Sequence, residues 1–421
     1  MIIIYILALV PVIAWGTMEP LNYRFPDFVT SMTSVGQILG LLGIMLFSTN
    51  LILAGRLKIF DKYFKGLDKM YQNHQKIGVL AFSMMLFHPL FLVIKYLAIS
   101  TREGALFFVP FINMPVTWGI LSIIIVISLI VFTFYLKMKY HVWKISHKFM
   151  TIAFFFSVLH ILFINSDISR NNFLKIYILI FALVGLVLGI RRAFLYRFIK
   201  KIKYQVVDNK LLNKDIREIT ISPISNKLNY KSGQFVFVNF INKNITSDQH
   251  PFTISSSPSE QNLKFTIKNF GDFTDSVSNL KAGDIAFAEG PYGDFNYRNR
   301  KSKNQIWIAG GIGITPFLSM SLDKDKDYQV DLFYCVSEKF EAVHLDQFEK
   351  IMKEDNNFKF YLWESSKSGY IDAGKITSVC GDLKEKEIFI CGPRNFMKNL
   401  ENQFVKIGVD ISRIHYENFS L

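Results

Sequence analysis

The chain has 421 residues, half of them hydrophobic, with 41 Phe and a formal net charge of +14. That length allows two or three domains with sizeable cores, and that apolar content excludes an ordinary soluble enzyme. The positive excess is confined to residues 1–200, where 19 Lys+Arg face 6 Asp+Glu between apolar runs, a pattern that fits membrane orientation and anionic headgroups better than nucleic acid.

Six stretches approach the ~20 apolar residues that a helix needs to cross a bilayer: 2–16, 35–55, 76–99, 116–137, 149–165 and 172–193. The first lacks the basic start and small-residue cleavage site of a signal peptide, so it is expected to be an uncleaved span. The loops at 56–76, 137–148 and 191–203 hold 16 Lys+Arg, against 5 in those at 17–34, 95–115 and 166–175. This asymmetry places the first set of loops, and both termini, in the cytoplasm.

Four of the eight histidines fall on two of these helices: His74 and His88 on the third, His147 and His160 on the fifth. One such residue alone is better read as a packed ring bonded to a carbonyl. Four at matched depth are the ligand set of a bis-histidine haem pair. Separations of 14 and 13 residues correspond to about 21 and 20 Å of helix rise. If the two helices run parallel, His74 meets His147 and His88 meets His160, an inner and an outer pair. Thirteen residues, however, return to a face about 140° away in an ideal helix, so the fifth helix must be distorted or meet its haems from different faces. His141, His344 and His415 read as solvated or turn residues, and Phe154, Phe155 and Phe156 as core.

After Lys203 the pattern changes. Short β-rich runs such as Phe235–Phe240 and Leu263–Ile267, separated by Gly, Asn and Ser turns, predict a small antiparallel β-barrel. From about Asn304 the order becomes strand, glycine turn, helix, with strands predicted at Gln305–Ala309, Tyr328–Val336, Phe358–Trp363 and Glu387–Cys391. That predicts an α/β nucleotide-binding domain of Rossmann-like type. Cys335, Cys380 and Cys391 form no CxxC pair, which leaves neither a disulfide framework nor a zinc site and fits a reducing cytosol.

Several segments in this half carry binding chemistry. His250–Ser256 (HPFTISS) follows a barrel strand, and Ile267–Thr274 (IKNFGDFT) offers a glycine for close approach and a hydroxyl for a phosphate. Gly290–Gly293 (GPYG) is a tight turn. Gly310–Pro316 (GGIGITP) is a strand-to-helix turn whose bare amides suit a pyrophosphate, although Pro316 stands near the third glycine of the usual dinucleotide fingerprint. Cys391, Gly392 and Pro393 end a later strand at the carboxyl edge where such sheets bind ligands. Ser337 and Lys339 offer a hydroxyl and an ammonium to a 2′-phosphate, whereas Glu338 between them would repel it or accept a ribose hydroxyl. A solvated turn is an equally good reading of that last segment.

In this order and spacing, the histidines and the HPFTIS, IKNFGDFT, GPYG, AGGIGITPF and CGP segments resemble the ferric reductase/NADPH oxidase superfamily, in the form of its compact bacterial NADPH oxidases. The resemblance covers nearly the whole chain. It implies a six-helix haem bundle over residues 1–198, an FAD-binding β-barrel over 199–300 and an NAD(P)H-binding α/β domain over 301–421. It implies FAD, two b-type haems and NADPH, with NADH tolerated, and haem iron on His74, His88, His147 and His160. By the same resemblance, His250, Pro251, Phe252, Thr253, Ser255 and Ser256 contact the flavin, while Lys268, Gly271 and Thr274 line its pyrophosphate. Gly310, Gly311, Gly313, Thr315 and Pro316 approach the nucleotide phosphates. Cys391, followed by Gly392 and Pro393, lies beside the nicotinamide, and Phe419 corresponds to the aromatic that stacks on the flavin ring. Here Phe419 is followed by Ser420 and Leu421. Leu92 stands where animal superoxide-forming members carry a further histidine. The expected activity is NADPH oxidation with superoxide released outside a plasma membrane. Its alternatives are ferric or cupric reduction and electron donation to a quinone or partner protein. No regulatory segment precedes the first helix, so constitutive activity is expected, with membrane lipid and small-molecule substrates as contacts and no nucleic acid or obligatory protein partner.

Overall fold

The computed structural model describes residues 2–64, 66–136, 140–195, 201–246, 248–298 and 300–417, and no side chain for Lys62, Asp68, Tyr140 or His141. The expected boundary at 198/199, the solvated His141 and the stacking Phe419 therefore lie outside the described residues. The chain divides into two compact units: Met1–Phe60 with Lys69–Ile199, and Asp61–Asp68 with Lys200–Leu421.

The first unit is helical. Its main helices are α1 (Ile2–Gly16), α2 (Phe28–Ala54), α3 (Leu67–Leu97), α4 (Met114–Tyr135), α5 (Tyr140–Lys148), α6 (Met150–Phe163) and α7 (Asn172–Ala193). Start signals are local: the Asp27, Asn113 and Asn171 side chains accept the backbone N–H of Thr30, Val116 and Leu174 at the heads of α2, α4 and α7, satisfying donors that the helix itself cannot.

Among the described residues, five stretches are long and apolar enough to cross a membrane: Phe28–Ala54, Lys69–Leu97, Met114–Tyr135, Val142–Phe163 and Asn172–Ala193. The expected sixth, α1, has 15 residues and Pro11 inside it. At 1.5 Å per residue that is about 22 Å, short of a hydrocarbon core of about 30 Å. Two boundaries also move outward. The third span begins at Leu67 and so contains His74, and the fifth contains His147 because α5 and α6 succeed one another with only Phe149 between.

The second unit contains two sheets. The first is antiparallel, in the order β4-β3-β6-β1-β2-β5, formed by β1 (Ile202–Asn213), β2 (Ile216–Pro223), β3 (Phe235–Ile241), β4 (His250–Thr253), β5 (Leu263–Lys268) and β6 (Ile285–Tyr292). It corrects the expected closed barrel, because no ladder joins the edge strands β4 and β5. β4 has only four residues, and the chain leaves it to bond β5 irregularly through Ser255 N–H to the Lys264 carbonyl at 2.8 Å. Alternating inward residues such as Tyr204, Val206, Val236, Val238, Phe265 and Ile267 form its core.

The second sheet is wholly parallel, in the order β11-β10-β7-β8-β9. Its strands are β7 (Asn304–Gly310), β8 (Gln329–Val336), β9 (Phe358–Glu364), β10 (Glu387–Cys391) and β11 (Ile414–Glu417). Apolar clusters cover both faces, as a parallel sheet requires. The order reverses between β7 and β10, and ligands of such sheets bind at the carboxyl ends beside that reversal.

Candidate functional site

In the helical unit, the rings of His74 and His147 lie 6.2 Å apart between centroids, and those of His88 and His160 lie 6.4 Å apart. Three of the four rings are tethered through Nδ1 to main-chain carbonyls: His74 to Asn50 (3.1 Å), His88 to Gly36 (2.7 Å) and His160 to Pro115 (2.7 Å). A carbonyl fixes Nδ1 as the protonated nitrogen and leaves the Nε2 lone pair for a metal. His147 stacks instead on Trp143, at 5.2 Å between centroids. Two metal–nitrogen bonds of about 2 Å, each extended by about 1 Å to the ring centre, would place two axial imidazoles about 6 Å apart. Both pairs meet that spacing, and histidines so placed would suit haem iron.

The awkward thirteen-residue interval is eased at Phe149, where a tight turn recovers about 60° of the 140° offset. Its N–H bonds the Ser146 carbonyl three residues back, and its own carbonyl accepts from Ile152, three residues on, as well as from Ala153. This 3₁₀-type turn winds about 20° further per residue than an α-helix. It thereby brings His160 round towards the face of His147.

Sequence reasoning missed the residues that make room for the His88–His160 pair. A Cβ on Gly40 of α2 would lie 2.7 Å from the His88 ring, and one on Gly119 of α4 would lie 3.2 Å from that of His160. The spacing of Gly36, Gly40 and Gly43 is a small-residue stripe of the kind that lets membrane helices approach closely, and it was the available signal.

In the second unit, HPFT forms the edge strand β4, and the FGDFT segment folds onto it. The His250 ring stacks on Phe273 at 3.7 Å, with Phe252 at 6.1 Å from the same ring. Lys268 ends β5, and Gly271 follows with φ +151° and open space where a Cβ would stand. Thr274 Oγ1 accepts the Phe270 N–H at 2.8 Å and donates to the Gly271 carbonyl, so its hydroxyl shapes the turn. Thr253 and Ser255 are buried at the end of β4. Ser256 serves the core: its hydroxyl bonds Tyr230 and the Lys264 N–H, and its carbonyl accepts the Ser319 hydroxyl at 2.6 Å.

At the reversal of the parallel sheet, the two glycine segments meet. Gly310 ends β7 and Cys391 ends β10, in register beside Ala309. Gly311 takes φ +55° with open space around it, and a Cβ on Gly313 would run into the Cys391 carbonyl. Thr315 and Pro316 begin helix α8 (Thr315–Leu322), where Pro suits the first turn because its missing N–H is not needed. A Cβ on Gly392 would sit 3.1 Å from Gly310 Cα, and one on Gly310 would sit 3.1 Å from the Phe396 ring and 3.2 Å from Pro393. The turn is thus a backbone cradle with no room for side chains at Gly310, Gly313 and Gly392 and a left-handed backbone at Gly311, the form a pyrophosphate requires. The Cys391 thiol is fully buried, and burial, helped by Glu417, holds its pKa well above the ordinary value. It is a neutral thiol in the apolar layer beneath the cradle. Ser337 and Lys339 follow β8 and are exposed.

His344 sits in a turn with its side chain buried, and His415 is half-buried. The buried His344 shares a hydrogen bond with Thr266 at 3.0 Å, and burial lowers its pKa to about 4. His415 lies on β11 with Nε2 2.6 Å from Glu387 Oε2, a carboxylate whose pKa burial raises.

Three families match the chain in order: Ferric reductase like transmembrane component over residues 39–158, FAD-binding domain over 200–296 and Oxidoreductase NAD-binding domain over 307–402. The chain thus joins a ferric reductase-like transmembrane component to flavin- and nicotinamide-nucleotide-binding domains. This domain order is consistent with that of the ferric reductase/NADPH oxidase superfamily. The glycine betaine monooxygenase reductase subunit of Chromohalobacter salexigens is 26% identical over 208 residues, 45% of this chain and 56% of that protein. Dual oxidase 1 of Caenorhabditis elegans is 26% identical over 228 residues, 52% of this chain and 15% of that protein. The chain therefore spans about half the length of the first relative and a small part of the second. Among solved structures, a flavohaemoglobin from Malassezia yamatoensis overlaps 76% of this chain and 87% of its own at TM-score 0.49 and 20% identity, a likeness too loose to bear on function.

Proposed function

We propose that this protein carries electrons from a cytosolic nicotinamide nucleotide across a plasma membrane to oxygen, releasing superoxide on the outer face. Bound FAD would accept a hydride and part with electrons singly, and two b-type haems would relay them one at a time. The observation that carries the reading is the pair of facing histidine couples, one above the other on the same two spans. His74, His88, His147 and His160 would hold the haems. The carbonyls of Asn50, Gly36 and Pro115 orient three of those rings. His250, Thr253, Lys268 and Gly271 would hold the flavin, and Gly310, Gly311 and Gly313 the nucleotide phosphates. The charge asymmetry of the loops supports a cytoplasmic dehydrogenase half.

A dithionite-reduced-minus-oxidised spectrum of the purified protein, followed by NAD(P)H with and without FAD in air, tests it. Two b-type haems per chain are expected, reduced by NAD(P)H only when FAD is present and reoxidised by oxygen with superoxide-dismutase-sensitive cytochrome c reduction. No haem absorbance, or none lost in His74→Ala and His160→Ala, would overturn the haem assignment. The second reading, a metal reductase, draws on Leu92 beyond the outer ligand. It gains if ferric chelate is reduced under air regardless of superoxide dismutase.

A further inference from the structure

We infer that the nucleotide site is built for NADH rather than NADPH, with Glu364 and Glu341 as its specificity-determining residues; this rests on the nucleotide-binding reading of the glycine cradle. In a parallel sheet of this order, the pyrophosphate sits over the turn after β7, and the adenosine ribose extends over the end of the neighbouring strand, here β8. What stands at that end decides between a ribose 2′-hydroxyl, which donates to a carboxylate, and a 2′-phosphate, which needs cations and free amides.

At the end of β8 the amides are already taken by carboxylates. The Ser337 N–H donates to Glu341 Oε2 at 3.4 Å, and the Lys339 N–H donates to Glu364 Oε2 at 3.2 Å. Glu364 is held there by register, since it ends β9 directly beside Val336 of β8. Its second oxygen receives Lys367 Nζ at 2.8 Å. Glu338 adds a third carboxylate to the same turn, against Lys339 and Lys367 as the cations. No arginine occurs between Arg300 and Arg394, so this segment lacks the planar fork that grips a phosphate in two places. Phe340 follows immediately with its ring 65% exposed, an apolar face at the place an adenine would reach.

A 2′-phosphate would have to displace two carboxylates from their amides and then sit beside them. A 2′-hydroxyl needs only to donate to one. Lys339, which sequence reasoning offered to the phosphate, carries its amide into the opposite arrangement.

Calorimetric titration of the full-length, detergent-purified, FAD-loaded protein with NAD⁺ and with NADP⁺ tests this, alongside initial rates with NADH and NADPH. NAD⁺ is expected to bind at least about tenfold more tightly, with kcat/KM favouring NADH in the same sense. Glu364→Gln and Glu341→Gln together should narrow the ratio. Ser337→Arg, at an exposed position, should raise NADP⁺ affinity even if the double variant fails to fold. NADP⁺ binding as tightly as NAD⁺ to the unaltered protein would overturn the inference and leave the nucleotide site standing. Binding of neither would overturn the nucleotide site itself and the inference with it.

Discussion

His344 shows how far one residue departs from its sequence appearance. A polar residue in a charged turn reads as solvated, yet its backbone is left-handed at φ +61°, a conformation that costs a non-glycine of order 1 kcal/mol. Its ring is buried between Thr266 and Gln347. Burial first, then Lys264 and Lys210, lower its pKa from near 6.5 to about 4. The unfolded chain therefore binds more protons between those values, and stability rises with pH through that window. It is fully present above pH 6.5 and is lost on acidification towards pH 4, by about 3 kcal/mol in all. Thermal unfolding of the purified protein should fall in temperature between pH 6.5 and 5, and His344→Gln should flatten that slope. An equal slope in the variant would assign the pH dependence to other groups.

At the scale of elements, the histidine couples depend on phase rather than composition. α3 repeats every fourteen residues, close to four whole turns, and needs no adjustment. The paired spans α5 and α6 repeat after thirteen, and the tight turn at Phe149 recovers part of the difference. Inserting one Ala between Phe149 and Met150 would turn α6 by about 100° relative to α5. His160 would leave Pro115 and His88, while His74 and His147 would stay facing. The expected pyridine haemochrome content is one haem per chain instead of two. Two haems retained in the insertion variant would show that the turn does not set the facing.

Across the whole molecule, the proposed sites of the helical unit and the two-sheet unit would bind through unrelated physics: imidazoles in an apolar bundle, and backbone amides at the carboxyl end of a sheet. They should therefore fail separately. Gly313→Ala places a methyl against the Cys391 carbonyl, which cannot yield because β10 is held between β7 and β11. Flavin reduction by NAD(P)H in this variant is expected to slow by about tenfold or more, equivalent to at least ~1.4 kcal/mol. Dithionite should still reduce both haems fully. Loss of haem absorbance in Gly313→Ala would mean that the two halves depend on each other for folding.

The sequence by itself determined the broad architecture, because apolar length, strand alternation and glycine turns are local signals. The four strands expected from Gln305 to Cys391 lie within a residue or two of β7, β8, β9 and β10. β11 escaped notice because four residues at an edge carry no period. Legible too were the four histidines, whose rarity in apolar helices is visible without coordinates. Only the tertiary structure decided how those helices make room for one another, since Gly40 and Gly119 are identified by what a methyl would strike. It also decided that the first sheet stays open, a matter of hydrogen bonds between strands distant in sequence. And it set the roles of Ser256, Cys391, His344 and the carboxylates after β8, because burial and partner, not residue type, determine whether a polar group serves the core or a ligand.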